Sequence, residues 1–220
     1  MKLLSARFVA SAAAGDRILG DGARLIALAG RSNVGKSSLI NALCRTRLAR
    51  TSAAPGKTRL ANIYRVSLEG GPGGPGRWSV HLVDLPGYGY ARGGADAAGD
   101  FASVAESYLT GGARGRRPAA ARASRMPPSR GPLAVLMLVD ARHPGLESDL
   151  AAAAWLGGLG VERLVVATKI DKLTRADRAR NLRRLEAAFG TAALPVSAAS
   201  GEGLDLLWQT IARIARNGER

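Results

Sequence analysis

Residues 30–37, Gly-Arg-Ser-Asn-Val-Gly-Lys-Ser, satisfy the pattern G-x-x-x-x-G-K-[ST]. Its chemistry is anion capture. Gly30 and Gly35 let the backbone wrap closely around phosphates, so that Arg31, Ser32, Asn33 and Val34 can turn consecutive N–H groups toward negative charge. Lys36 is placed to reach the β- and γ-phosphates, and Ser37 to ligate Mg²⁺. A second run, Asp84-Leu85-Pro86-Gly87, has the Asp-x-x-Gly spacing that sets one carboxylate near the metal, through water, and one backbone N–H near a γ-phosphate. The next residue is Tyr88, where many nucleotide switches carry a glutamine that orients the attacking water. A phenol cannot do that from the same place.

Two further stretches complete a nucleotide site. "SAAPGKT" at 52–58 looks like another phosphate loop, but position 51 is Thr and no strand precedes it. It reads better as a switch loop over Gly56, Lys57, Thr58, Arg59 and Leu60, with the Thr58 hydroxyl as a second Mg²⁺ ligand when the γ-phosphate is present. "TKID", Thr168-Lys169-Ile170-Asp171, decides between bases. Asp171 can accept from both the ring N–H and the exocyclic amine of guanine, a pair that adenine lacks, and an unpaired buried carboxylate would cost kilocalories. Lys169 can pack its stem over the base. Val196, Ser197 and Ala198 form a second base-side loop, in which the Ala198 N–H can donate to the guanine carbonyl.

These residues need a scaffold. "RLIALAG" (24–30) is a short buried strand ending in a glycine turn, and "KSSLINALCR" (36–45) continues as a helix. The alternating runs 60–68 and 77–85 are half-buried strands joined by the glycine–proline stretch 69–76, hence an antiparallel pair. Continuous apolar runs at 133–140 and 163–169 predict strands covered on both faces, with helices over 146–157, 173–189 and 202–216. The sum is an α/β domain: a mostly parallel sheet of roughly six strands with one antiparallel edge strand, and roughly five helices on both faces. Residues 1–23 are expected to pack on this domain as an extension, 24–216 to form it, and 217–220 to be a tail.

Composition narrows the class. A chain with 46% hydrophobic and 22% charged residues can build its own core. One cysteine, Cys44, excludes an intramolecular disulfide and fits a reducing compartment. Arg7 breaks the apolar start too early for a signal peptide, and no run is long enough to span a bilayer, so a cytoplasmic protein is expected. The net charge of +15 attracts polyanions, and a nucleic-acid or ribosomal partner fits it better than arginine-biased codon usage alone. Residues 111–131 carry six arginines, three prolines and no acid. They read either as a tolerated loop insertion or as an arm that orders on RNA phosphates.

The combination "GRSNVGKSSLIN", "TSAAPGKT", "VDLPGYGYA", "DARHP" and "TKIDKL" resembles the EngB-type ribosome-biogenesis GTPases, within the TrmE–Era–EngA–EngB–septin superclass. The resemblance runs from about Ala6 to Arg213, and "DLPGYGYA" and "DARHP" are its most specific pieces. It implies a P-loop NTPase G domain that binds GTP and GDP with Mg²⁺ and assists assembly of the large ribosomal subunit, with rRNA as partner, and it implies a need for normal cell division and septation. The glycine–proline hairpin and the arginine-rich insert are longer than the family pattern.

The resemblance also places the chain among GTPases with a hydrophobic residue at the glutamine position, so Tyr88 is expected to turn away or pack. In some relatives the asparagine equivalent to Asn33 helps hold K⁺ beside the phosphates; the alternative is a loop residue bonded to its own backbone. Lys36, Thr58, Gly87 and Asn33 are the candidate catalytic groups, and Ser37, Thr58 and Asp84 the metal shell. His81 reads as structural, His143 has no assigned role, and Trp78, Trp155 and Trp208 read as packing residues. The expected protein is a monomeric, weak intrinsic GTPase stimulated by K⁺ or the ribosomal particle. Two alternatives stay open: a nucleotide-gated RNA-binding scaffold with incidental hydrolysis, and a GTPase acting directly on the division machinery.

Overall fold

The computed structural model describes residues 1–13, 24–49, 60–71, 74–88, 105, 109 and 133–217. Seven strands form one sheet: β1 (Lys2–Ala12), β2 (Arg24–Gly30), β3 (Ala61–Glu69), β4 (Arg77–Asp84), β5 (Ala134–Asp140), β6 (Arg163–Thr168) and β7 (Leu194–Pro195). Their order is β1-β3-β4-β2-β5-β6-β7. Four helices lie among the described residues: α1 (Lys36–Cys44), α2 (Glu147–Gly158), α3 (Arg175–Phe189) and α4 (Leu204–Asn217). A 3-10 turn covers Ile170–Lys172, and Ala105 and Leu109 are also helical.

The sheet is mostly parallel, as its continuous apolar strands demand. Along β5, Val135, Met137 and Val139 join one core cluster, and Leu136 and Leu138 the other. The first cluster is closed by Ala153 and Leu156 of α2 and by Leu185 and Phe189 of α3. The second is closed by Leu39, Ile40 and Leu43 of α1 and by Leu207, Trp208 and Ile211 of α4. Trp208 also donates its Nε1 hydrogen to the Leu43 carbonyl at 3.2 Å, pinning α4 across α1. A strand with apolar residues on both faces can be buried only between two helical layers.

The structure adds one strand to the sequence pattern. β1 pairs antiparallel with β3, so β3, the expected edge, lies one strand in. Register shifts between Leu3 and Ser5 and between Phe8 and Ala10 break the alternation that would betray a strand in sequence. Helix starts fall within two residues of expectation. At α3 the start is fixed by a capping pair: the Thr174 hydroxyl accepts from the Asp177 N–H at 3.1 Å and donates to the Asp177 carboxylate at 2.7 Å.

The parallel register brings four strand ends level. Leu28 lies beside Asp84, Gly30 beside Leu138, and Asp140 beside Thr168. The carboxyl ends of β2, β4, β5 and β6 thus open on one crevice, where doubly wound sheets bind ligands.

Candidate functional site

At one end of the crevice the loop after β2 turns into α1 through Gly35, the N-cap residue of the helix. Lys36 is 8% exposed, and its ammonium donates back to the Gly30 and Arg31 carbonyls at 3.0 and 3.4 Å. Ser37 donates its hydroxyl hydrogen to Asp84 Oδ2 at 2.8 Å. Asp84 Oδ1 is buried and has no hydrogen-bond partner among the described residues. Burial pushes the Lys36 ammonium down from its ordinary value, with Asp84 opposing. Burial likewise pushes the Asp84 carboxyl up, against the pull of Lys36 and the Ser37 hydrogen bond. A hydroxyl, a carboxylate with an orphaned oxygen and a lysine at a helix N-terminus match a magnesium-bound polyphosphate: hard oxygen donors for the metal, cationic and N–H donors for the anion. The residues fit the group.

The Asp-x-x-Gly loop lies directly on the phosphate loop. Leu85 N–H donates to the Leu28 carbonyl and Ser32 N–H to the Tyr88 carbonyl, both at 3.1 Å. A Cβ on Gly87 would lie 2.8 Å from the Ser32 nitrogen, so only glycine permits this approach. Tyr88 packs inward at 8% exposure, and its hydroxyl donates to Asp149 Oδ1 at 3.0 Å. Its hydroxyl is thereby committed to the first turn of α2.

The other end is built by β6 and the loop after β7. Thr168 donates its hydroxyl hydrogen to the Val34 and Val139 carbonyls at 2.8 and 3.1 Å, tying the base-side strand to the phosphate loop. Lys169 adopts φ 60, the left-handed region, and its ammonium donates to the Asn33 carbonyl at 2.7 Å and pairs with Asp140 at 3.0 Å. The lysine therefore spans the crevice. Asp140 also holds Arg142, through Nε at 2.9 Å and Nη2 at 2.7 Å. Burial works against the Asp140 charge, but the Arg142 and Lys169 contacts outweigh it and hold the carboxyl well below the usual carboxylate range. Asp171 accepts from the Ser197 hydroxyl at 2.7 Å, and this bond, more than Lys172 nearby, lowers its pKa. Ser197 is fully buried and accepts the Ala199 and Ser200 N–H groups at 3.2 and 3.1 Å, while Ala198 is half-buried beside it. The loop returns so tightly that a Cβ on Gly203, itself at φ 79, would lie 2.1 Å from the Pro195 carbonyl oxygen.

Of the sequence-derived site residues, Gly30 to Ser37, Asp84 to Gly87, Thr168 to Asp171 and Val196 to Ala198 thus converge on one crevice. Ile170 and Val196 are buried beneath it. Leu60 is exposed just before β3, Pro86 is buried and Gly87 is half-buried. Gly56, Lys57, Thr58 and Arg59 lie outside the described residues, as do 111–131. Asn33 is exposed at φ 63, with its carbonyl taken by Lys169. His81 is buried within β4, and His143 is exposed. Sequence reasoning missed Asp140, Arg142 and Asp149. Asp140 could have been found, since it ends a buried strand on the ligand side of the sheet.

The fold and this crevice define a P-loop nucleotide-binding domain of the GTPase kind. A family model described as 50S ribosome-binding GTPase matches residues 25–120. The chain is 41% identical to the probable GTP-binding protein EngB of Anaeromyxobacter sp. (strain K), over 86% of this chain and 82% of that one. It is 40% identical to the protein of the same description from Solibacter usitatus, over 96% of each. In fold it is similar to Era in complex with MgGDPNP and nucleotides 1506–1542 of 16S ribosomal RNA, with TM-score 0.64 and 21% identity over 87% of this chain and 56% of that one. It is likewise similar in fold to a crystal structure of a probable GTP-binding protein EngB, with TM-score 0.59 and 19% identity over 88% and 99% of the chains. The chain belongs to the EngB family of GTP-binding proteins.

Proposed function

We propose that the chain is a Mg²⁺-dependent GTPase that hydrolyses GTP to GDP and phosphate as a switch in large ribosomal subunit assembly, and that normal cell division and septation depend on it through that role. The observation that carries the proposal is the crevice with two unlike ends. One presents Lys36, Ser37 and the orphaned Asp84 oxygen to a magnesium polyphosphate. The other presents Asp171, held by Ser197, to a guanine edge. Gly30 to Val34 and Gly35 would cradle the phosphates, and Gly87 and Thr58 would meet the γ-phosphate and its metal. Lys169 would lie along the base and Ala198 would face its carbonyl.

Intrinsic turnover is expected to be slow. Tyr88 commits its hydroxyl to Asp149, so the attacking water must be oriented by something else. K⁺ held near Asn33 is one source of the missing positive charge, and the ribosomal particle is another. The net charge of +15 supports a phosphate-rich partner such as rRNA, and Arg175, Arg183 and Arg184 of α3 are among its exposed cations. No described helix is long and apolar enough to cross a membrane. A cytoplasmic monomer is the accompanying expectation. The same inward Tyr88 favours a second reading, a nucleotide-gated RNA-binding scaffold with incidental hydrolysis.

GTP turnover with Mg²⁺, at matched ionic strength in K⁺ and in Na⁺, each with and without purified large subunits, tests the proposal. Turnover that rises with K⁺ and falls back in Asn33→Ala assigns the charge to the ion. A rise only with subunits assigns it to the particle. Background turnover in all four conditions sinks the enzyme and leaves the scaffold.

A further inference from the structure

We infer that Asp149 is a positioning residue for nucleotide discrimination: it clamps the Asp-x-x-Gly loop onto the phosphate loop through Tyr88 and Arg31, and so disfavours GTP relative to GDP. The inference rests on the guanine-nucleotide reading above. Asp149 lies in the first turn of α2 with its side chain 1% exposed. Its Oδ1 accepts the Tyr88 hydroxyl at 3.0 Å and pairs with Arg31 Nε at 3.2 Å. Arg31 is the second residue of the phosphate motif, and Tyr88 directly follows Gly87.

The backbones of the same two residues are joined as well. Arg31 and Tyr88 form a parallel β-bridge, and Ser32 N–H donates to the Tyr88 carbonyl at 3.1 Å. Two loops that must both touch a nucleotide are therefore cross-linked twice, once by backbone and once by side chains that share one carboxylate. Local helix energetics do not call for this arrangement. An acid in a first helical turn gains its dipole stabilisation while exposed. Burying it is costly unless its oxygens are satisfied, and Oδ2 has no hydrogen-bond partner among the described residues. Burial accordingly pushes the Asp149 carboxyl up, with Arg31 and Tyr88 pulling against it. An acid held at this cost is explained by what it holds.

The clamp has a direction. It occupies Ser32 N–H, a phosphate-loop donor, and seats Gly87 against Ser32. A γ-phosphate drawing on the Gly87 N–H must compete with that seating, whereas a diphosphate ends before it. Loosening the clamp should therefore favour the triphosphate.

The test measures dissociation constants of fluorescent GDP and of a non-hydrolysable GTP analogue for the full chain, with Mg²⁺, alongside thermal unfolding. Tyr88→Phe deletes only the hydroxyl; Asp149→Asn removes the charge opposite Arg31. In each, the affinity ratio should move toward the GTP analogue by about fivefold to tenfold. The double variant should move little further, because both changes break one device. A ratio within about twofold of wild type in folded variants, or a shift toward GDP, overturns the clamp. If Asp149→Asn does not fold, Tyr88→Phe decides alone. A wild-type chain that binds neither nucleotide overturns the guanine-nucleotide reading itself, an outcome distinct from an unmoved ratio.

Discussion

The two ends of the crevice hold their charges in opposite conditions. At the phosphate end Lys36 and Asp84 are both buried, and burial pushes each toward its neutral form. One Asp84 oxygen has no partner among the described residues, and Lys36 spends its hydrogens on backbone carbonyls. At the base end Asp140 and Asp171 are both held as carboxylates by donors already in place. One end is unsatisfied until a ligand arrives; the other is complete beforehand. Affinity and selectivity are thereby separated. In the proposed reading a polyphosphate with its metal would gain by relieving buried charges, while the base would meet an edge whose hydrogen-bond donors are already in place.

The largest expected effect tests the unsatisfied end. Lys36→Met keeps the stem and removes the charge, so GTP affinity should fall by about a thousandfold. Without nucleotide, the variant should unfold no more easily than wild type, because a buried cation with a depressed pKa costs stability at neutral pH. A marked loss of stability in denaturant titration would erase the contrast between the two ends.

Asp171→Asn tests the pre-set end. Guanine nucleotides should lose about a hundredfold in affinity. Xanthine nucleotides should gain, since the amide can donate to a carbonyl where the carboxylate accepted from an amine. Equal losses for both bases would mean that the edge is not what selects.

A smaller effect, on stability, sharpens the comparison further. Asp140→Asn should cost about 2 kcal/mol at neutral pH through weakened Arg142 and Lys169 contacts. The native carboxyl lies below its unfolded value of about 3.9, so its stabilisation is full above about pH 4 and is lost as pH falls through the lower native value. The gap between the two proteins, read by denaturant titration from pH 8 to pH 3.5, should stay level down to about pH 5 and begin to narrow below about pH 4. A gap that closes near neutrality would point to another group.

Most of the crevice was legible because its parts are local patterns. The phosphate motif sits between a strand and a helix that the hydrophobic spacing already marks, and Thr168 to Asp171 ends a run of buried residues. Failures came where the signal is not local. β1 is an edge strand with two register shifts, so its polar and apolar residues do not alternate cleanly. Asp149 looks like an ordinary helix-start acid; only its meeting with Tyr88, 61 residues away in the chain, shows otherwise. Asp140 was visible within "DARHP", but its grip on Lys169 depends on the register of β5 against β6.

Gly203 carries a consequence beyond geometry. It has no part in the proposed nucleotide contacts, yet any side chain there would strike the Pro195 carbonyl and displace the Val196–Ala198 loop proposed to read the base. In heredity, position 203 therefore behaves as part of the pocket: a screen for lost guanine recognition should return it beside Asp171. An engineer transplanting this base-reading loop onto another scaffold would have to take along a residue that touches nothing it recognises.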